Sequence, residues 1–216
     1  MKLIAAPGLS YERQFWDNGC SRVAGLDEAG RGAWAGPVSA GAVILPSNNR
    51  ISEKLSGVRD SKQMTPRQRA FWAEEIRKFA LAWGVGFASN DEIDNLGILP
   101  ATRLAMERAL EKLYPPPQAL LIDAVKLKSG NMPQQSIIRG DQLSLSISAA
   151  SVLAKTERDS LMCALAEQYP GFSFEHHKGY GTKAHMAALE QHGVLDIHRK
   201  TYKPVGMILI KQSQGK

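Results

Sequence analysis

The chain has 216 residues, 44% of them hydrophobic and 22% charged, with a formal net charge of +6. That is the composition of a globular protein of one substantial domain with at most a small appendage, and no apolar stretch approaches the ~20 residues needed to cross a bilayer. The basic excess is compatible with a polyanionic partner without requiring one.

The amino terminus, MKLIAAPGLSYERQFWDNG, carries one Lys and a very short apolar patch, which argues against a secretory signal. Cys20 and Cys163 lie far apart and match no metal or redox spacing, so a reducing, cytoplasmic setting is expected. Val23–Leu26 is the first strand candidate and Val38–Leu45, VSAGAVIL, the second, with AGRGAWAG as turn chemistry between them. Thr65 reads as an N-cap, with Pro66 at the first helical position and Gln68 closing a capping box. The helix runs through PRQRAFWAEEIRKFA, with Phe71, Ile76 and Phe79 on or near one face. LAWGVGFAS is a strand candidate, and a second helix spans about Pro100 to Leu113 before Pro115–Pro117 stop it. ALLID, Ala119–Asp123, is a short apolar strand, and SIIRGD, Ser136–Asp141, another.

From Ser144 to about Tyr169 the pattern predicts one long helix, ended by Pro170 and Gly171. Within it Ala149, Ala150 and Ala154 suit close packing on a sheet, whereas Ser148, Ser151 and Lys155 share one face directed toward a substrate. The segment from Phe172 reads as a loop and then a helix, with KQSQGK frayed at the end. Strands that come first in pairs and later alternate with helices define a mixed α/β domain, with a small helical appendage from about Phe172.

Two apolar runs end on an acid, at Asp27 and Asp123, and a third ends at Asp141. A buried carboxylate needs a cation, donors or solvent. Three strand-end acids at one sheet edge, joined by Glu28, are able to share a divalent ion, and oxygen-only ligands suit Mg2+ or Mn2+ rather than zinc. Each acid taken alone is more often an ordinary strand terminator than a ligand, and Glu74–Glu75 and Asp91–Glu92 read as solvated pairs.

The residues at Asp27–Gly32 followed by Ala35–Pro37, DEAGRG and then AGP, resemble the signature of the ribonuclease HII family. Further blocks follow in that family's order: DSKQMT at Asp60–Thr65, the stretch Glu92–Leu110, LLID at Leu120–Asp123, Arg139–Met162, Tyr169–His185, and Ile197–Val205. The resemblance implies a ribonuclease H-like fold, a central mixed five-stranded sheet flanked by helices with a small helical C-terminal appendage. It divides the chain into a catalytic domain at residues 1–171 and a helical extension at 172–216 carrying a substrate-reading tyrosine loop. It also implies an endoribonuclease that cuts the RNA strand of RNA–DNA hybrids and nicks duplex DNA 5′ of embedded ribonucleotides, leaving 3′-hydroxyl and 5′-phosphate ends.

In that family the metal-site acids fall at Asp27, Glu28, Asp123 and Asp141, with Mg2+ or Mn2+ expected in a two-metal site and Asp27 bridging. Such ions, ~4 Å apart, serve both the attacking and the departing oxygen. The family frequently has Gly after the third acid, where Ala124 stands here. Gly30 and Gly32 let the backbone approach a ribose 2′-hydroxyl, and Arg31 holds a neighbouring phosphate. Tyr180 resembles the family's tyrosine that stacks near the sugar following the ribonucleotide, which favours RNA-to-DNA junctions. Lys62, Lys155, Arg158, Lys178 and Lys183 are candidate phosphate contacts.

The rival readings are weaker. No P-loop motif occurs, and His176, His177, His185 and His192 lack a zinc spacing. A Ser151–Lys155 hydrolase has no oxyanion device. A hybrid-binding protein without catalysis would have lost a carboxylate, and all four are present. The sister type, ribonuclease HIII, carries an added amino-terminal domain where about twenty residues precede the first motif here, and lacks the tyrosine. A monomer acting on hybrids and ribonucleotide-containing DNA, with no membrane partner, is the expectation.

Overall fold

The apolar run beginning at Val23 forms the central strand of a sheet, in a computed structural model that describes residues 6–128 and 132–214. In chain order the elements are helix α1 (Ser10–Trp16), strands β1 (Val23–Ala29) and β2 (Val38–Ile44), short helix α2 (Arg50–Lys54), a 3-10 turn at Ser61–Gln63, helix α3 (Pro66–Phe79) and strand β3 (Ala82–Ala88). There follow helices α4 (Asn90–Leu96) and α5 (Ile98–Leu110), strands β4 (Ala119–Asp123) and β5 (Gln134–Ile137), and a 3-10 turn at Gly140–Gln142. Helices α6 (Leu145–Gln168), α7 (Phe174–His177), α8 (Lys183–His192) and α9 (Lys203–Gln214) complete the described chain.

The five strands lie in the order β3-β2-β1-β4-β5, with β1–β2 and β2–β3 antiparallel and β1–β4 and β4–β5 parallel. The expected mixed five-stranded sheet is therefore present. Successive residues of a strand face opposite sides. On one side Ala24 and Leu26 of β1 pack with Ala101, Ala105 and Met106 of α5; on the other, Val43 and Val85 meet Ala149, Val152 and Leu153 of α6 and Ile76 of α3. No helix among the described residues is long and apolar enough to cross a membrane.

The seating of α6 on the sheet depends on missing side chains. A Cβ at Gly25 would strike the Ser146 backbone, and one at Gly41 the Ala150 carbonyl. Ala149, Ala150 and Ala154 are fully buried there, as their small size predicts.

Helix starts follow the local chemistry. Thr65 and Gln68 form the expected capping box with Pro66 behind them, and Ser89 with Glu92 form a second one that starts α4. Each such cap contributes on the order of 1 kcal/mol.

Several boundaries differ from the sequence expectation. Helices α1 and α4 were not anticipated, and α9 runs through Lys211–Gln214 where fraying was expected; the last two residues lie outside the described chain. Helix α9 holds because Val205 and Ile208 seal a C-terminal cluster with Phe172, Phe174 and Leu189. Phe71 is 58% exposed while Ile76 is buried, since five residues carry a helix about 140° around its axis. Strand β5 ends at Ile137, because Arg139 turns left-handed (φ 58°) and the chain then coils; Asp141 thus projects from a 3-10 turn, not from a strand end.

Candidate active site

Parallel pairing of β1 with β4 matches Leu26 to Ile122, so the next residues, Asp27 and Asp123, lie side by side where β4 ends. Strand β1 itself runs on to Ala29 because Asp27 and Glu28 stay paired with Gly41 and Ala40 of β2, so Asp27 does not end its strand as the sequence suggested. That edge is where open α/β sheets leave a crevice, because the following segments diverge. Asp123 Oδ1 accepts the Gly140 amide at 2.7 Å, which ties the end of β4 to the turn bearing Asp141. Glu28 joins from β1, and the amide of Glu28 donates to Asp27 Oδ1 at 2.7 Å. Helix α6 closes the site from behind: the Ser151 hydroxyl sits beside Asp27, whose charged form it favours, and hydrogen-bonds Ser61 at 2.9 Å.

These acids raise one another's proton affinity. Burial first, then Glu28, holds the Asp27 carboxyl well above the usual range, with Asp123 and Asp141 adding and Ser151 opposing. Burial also raises Glu28, against the pull of Arg31, and raises Asp123, against the Gly140 amide and Lys62. Asp141 is pushed up to about 6 by burial, then by Asp60 and Asp123. Lys62 responds in kind: burial lowers it, but the surrounding carboxyls outweigh burial and raise it. Its Nζ stands 4.0 Å from Asp141 Oδ2.

Asp60 is a fifth acid that no sequence argument singled out. It is buried, accepts the Lys62 amide at 2.9 Å and is held by Gln63 and Gln142. The only signal for it was its place in the DSK block, since it ends no apolar run.

The donor chemistry suits a hard cation. Five carboxyls face Arg31 and Lys62, the cluster contains no Cys or His, and Glu28 Oε2 is buried with no hydrogen-bond partner among the described residues. Oxygen-only donors with surplus negative charge match Mg2+ or Mn2+. As the side chains stand, no three His, Cys, Asp or Glu among the described residues surround a common point, so a shell closes only by side-chain movement.

Beside the acids runs a cleft of about 680 Å3 lined by Glu28, Gly30, Arg31, Gly32, Ser61, Lys62, Lys155 and Tyr180. Most of the residues proposed from sequence for substrate contact therefore share one surface. Arg31 Nη1 pairs with Glu28 Oε1 at 3.0 Å, leaving the guanidinium partly exposed. Tyr180 lies with its ring 5.1 Å from Lys155 Nζ and 5.3 Å from the Arg158 guanidinium. Lys155 is also paired with Asp159 at 2.7 Å.

The structure corrects five placements. Ser148 is buried with an unpartnered hydroxyl and does not line the cleft, because α6 presses that turn onto the sheet. Ser151 supports Asp27 instead of reaching outward. Lys178 bends back to the Glu175 carbonyl and lines a neighbouring groove with Lys155 and Tyr180. Arg158 is fully buried and spends its donors on the carbonyls of Pro37, Lys178 and Ala35, so it serves the scaffold; Lys183 merely opens α8.

The glycines around Tyr180 have another reason than loop exposure. A Cβ on Gly179 would come within 2.6 Å of the Ala35 carbonyl, and one on Gly181 would enter the Trp34 ring. Gly30, at φ 91°, likewise makes room for the Arg158 side chain. The departure at Ala124 also gains a meaning, since its φ is 48°, a region that favours glycine.

Beneath the tyrosine loop sits a histidine cluster that sequence spacing did not reveal. His185 and His198 are fully buried, their Nε2 atoms 3.0 Å apart, and His177 stacks on His185 at 4.5 Å. Burial lowers both His185 and His198 to about 4. Its neutral rings pack among Phe172, Phe174 and Trp34.

A profile of the family described as Ribonuclease HII matches residues 24–205. A ribonuclease HII of Dehalococcoides mccartyi is 47% identical over 205 residues, covering 95% of this chain and 97% of its own. The crystal structure of ribonuclease H2 from Pyrococcus horikoshii OT3 superposes with a TM-score of 0.73 at 27% identity, over 89% of this chain and 99% of that one. A ribonuclease HIII solved in complex with Mn2+ shares the fold, with a TM-score of 0.65 at 17% identity, over 89% of this chain and 70% of the other.

Proposed function

This chain belongs to the ribonuclease HII family and is an endoribonuclease, and from that premise we propose that it is a metal-dependent enzyme reading the junction between RNA and DNA. Its substrates are RNA–DNA hybrids, cut in the RNA strand, and duplex DNA nicked 5′ of an embedded ribonucleotide. The products carry 3′-hydroxyl and 5′-phosphate ends. It acts as a cytoplasmic monomer, with residues 172–216 forming a helical extension that brings the tyrosine loop to a catalytic body of residues 1–171.

One observation carries this reading: Asp27, Glu28, Asp123 and Asp141 converge with raised proton affinity at the mouth of a cleft that also holds Arg31, Lys62 and Tyr180. Those four acids are the residues that hold Mg2+ or Mn2+, as the manganese-bound ribonuclease HIII of like fold suggests. When bound, the ions neutralise charge on the phosphate and acidify water. The chain's own groups do the rest. Ser151 fixes the Asp27 carboxyl, and the Gly140 amide fixes Asp123. Lys62, largely exposed and drawn toward the acids, offers a cation to the non-bridging phosphate oxygens. Arg31 compensates Glu28 and presents its free edge to the next phosphate. The Tyr180 ring, backed by Lys155 and Arg158, gives the following sugar a flat surface on which a 2′-hydroxyl is not accommodated.

The test is a duplex with a single embedded ribonucleotide, incubated with chelator, Mg2+ or Mn2+, and the nick mapped at nucleotide resolution. A single nick 5′ of the ribonucleotide, present only with the ion, is expected. Ion-independent cutting, or a nick on the 3′ side, overturns the reading.

A further inference from the structure

The turn from Gly30 to Gly32 is held from below by two residues outside the cluster of acids. Arg199 is fully buried, yet its Nη1 donates to the Arg31 carbonyl at 2.9 Å and its Nε to the Gly36 carbonyl at 3.0 Å. Tyr202 Oη donates to the same Arg31 carbonyl at 2.6 Å, and accepts from Arg199 Nη1 at 3.1 Å. One carbonyl oxygen thus takes two donors, one of them charged, in a part-buried site. Such a carbonyl does not rotate without stranding a buried guanidinium.

The consequence lies on the other side of the same peptide. The Arg31–Gly32 bond is trans, so its N–H points opposite to its C=O. With the carbonyl drawn inward, the Gly32 amide is turned outward; Gly32 is exposed, lines the cleft, and donates to no other group among the described residues. The backbone of residues 33–36 cannot drift away either. The amide of Trp34 bonds the Gly179 carbonyl at 2.8 Å, Gly36 bonds Ile197 at 2.9 Å, and Arg199 bonds Trp34 at 2.8 Å.

We propose that Arg199 and Tyr202 are positioning residues for ribose recognition: they clamp the Arg31 carbonyl and so aim the Gly32 amide at the 2′-hydroxyl. The inference rests on the reading of this cleft as the place where a ribonucleotide is told from a deoxyribonucleotide. It adds that the discrimination is set from behind, by side chains that touch no substrate atom.

The experiment uses the full chain in chelator, so that no cleavage occurs, and measures by fluorescence anisotropy the Kd for an all-DNA duplex and for the same duplex with one ribonucleotide. Tyr202→Phe removes a single hydroxyl and leaves Arg199 and the fold in place; Arg199→Lys removes the forked contact. Both are first checked by thermal unfolding. The wild type is expected to prefer the ribonucleotide duplex. Tyr202→Phe should narrow that preference by roughly 3- to 10-fold, the worth of one hydrogen bond, and Arg199→Lys by more, with the all-DNA Kd unchanged in each. If the wild type shows no preference, the recognition reading itself fails. If the wild type discriminates and folded Tyr202→Phe discriminates equally well, the clamp is refuted. Should Arg199→Lys not fold, Tyr202→Phe decides alone.

Discussion

The buried histidine pair should contribute a loss of stability in mildly acid solution. The hydrogen bonds fix one consistent set of tautomers. The Leu195 amide donates to His198 Nδ1 at 2.9 Å, so His198 carries its proton on Nε2 and gives it to His185 Nε2. His185 then carries its proton on Nδ1, facing the Tyr180 carbonyl at 3.1 Å. The opposite assignment, with His198 Nδ1 donating to the Leu195 carbonyl at 3.3 Å, leaves two acceptors facing each other at Tyr180. A further proton on either ring places two N–H groups against each other, beside His177.

Above pH 6.5 the folded and unfolded chains both keep these imidazoles neutral, and the pair imposes no penalty. Between 6.5 and about 4 the unfolded chain binds protons that the folded pair refuses, so stability drops as the pH is lowered. At pH 5 the ceiling is about 2 kcal/mol per ring, and allowance for relaxation brings the pair to roughly 2–4 kcal/mol. The carboxyl cluster has the reverse sign. Its raised affinities favour the folded state in acid, and that contribution is lost as pH rises, for Asp141 through about 6.

The assay must therefore separate the two. Urea unfolding in chelator at pH 7.5 and 5.0 is compared between the wild type and His198→Gln, which keeps an N–H near His185 but does not titrate. The wild-type advantage over the variant should shrink by about 1–2 kcal/mol from pH 7.5 to 5.0. Parallel pH profiles, or imidazole resonances of His185 and His198 that titrate near 6.5, refute the reasoning.

Asp27→Asn should lower cleavage by on the order of 10³-fold or more, yet raise the unfolding temperature in chelator at pH 8, because it removes a buried, repelled charge; calorimetry beside a nicking assay checks both, and a lower unfolding temperature contradicts the electrostatic account. Tyr180→Ala should cut RNA–DNA junctions roughly 5- to 100-fold more slowly, the worth of one stacked ring, while the thermal shift produced by Mn2+ stays as in the wild type; loss of both or of neither removes the role. Ala124→Gly should stabilise the chain by roughly 0.5–1 kcal/mol in urea unfolding, because position 124 sits at positive φ; an unchanged or lower midpoint means the surroundings have absorbed the strain.

What could be read in the chain follows the range of the physics involved. Strands β1, β2, β3 and β4 announce themselves by short apolar runs, and α3 by the Thr65–Gln68 box, because these signals are local. Asp27 and Asp123 were legible because an apolar run that stops on a charge is conspicuous. Asp141 was found for a partly wrong reason, since it leaves from a 3-10 turn, and Asp60 was missed because its burial comes from packing against residues 63 and 142. The misjudged side chains share a cause. Ser148 and Arg158 sit on α6, whose rotation against the sheet is set by Gly25 and Gly41, and no property of the helix sequence reports it. The histidine pair lies thirteen residues apart and exists only because α8 and the segment before α9 fold over Phe172.

The buried charges of this molecule fall into two classes, and the difference explains where activity resides. Arg158 and Arg199 are fully enclosed, and burial lowers the proton affinity of both, Arg158 to about 10, yet between them they meet five backbone carbonyls and the Tyr202 hydroxyl, which keep them charged and let them act as fixed braces. Asp27 and Asp141 are buried and Glu28 and Asp123 half-buried, with one another as neighbours and only Arg31 and Lys62 as cations, and each is raised in proton affinity. A scaffold selected for stability alone would pair or neutralise such acids, as it has paired the arginines. The cluster persists where β4 ends beside β1 and a cleft begins, and under the proposed function a dication is the partner that would turn its repulsion into binding energy. The arginines hold the backbone of residues 31–37 still beside the acids, whereas Asp123 and the turn bearing Asp141 are held to each other by the Gly140 amide.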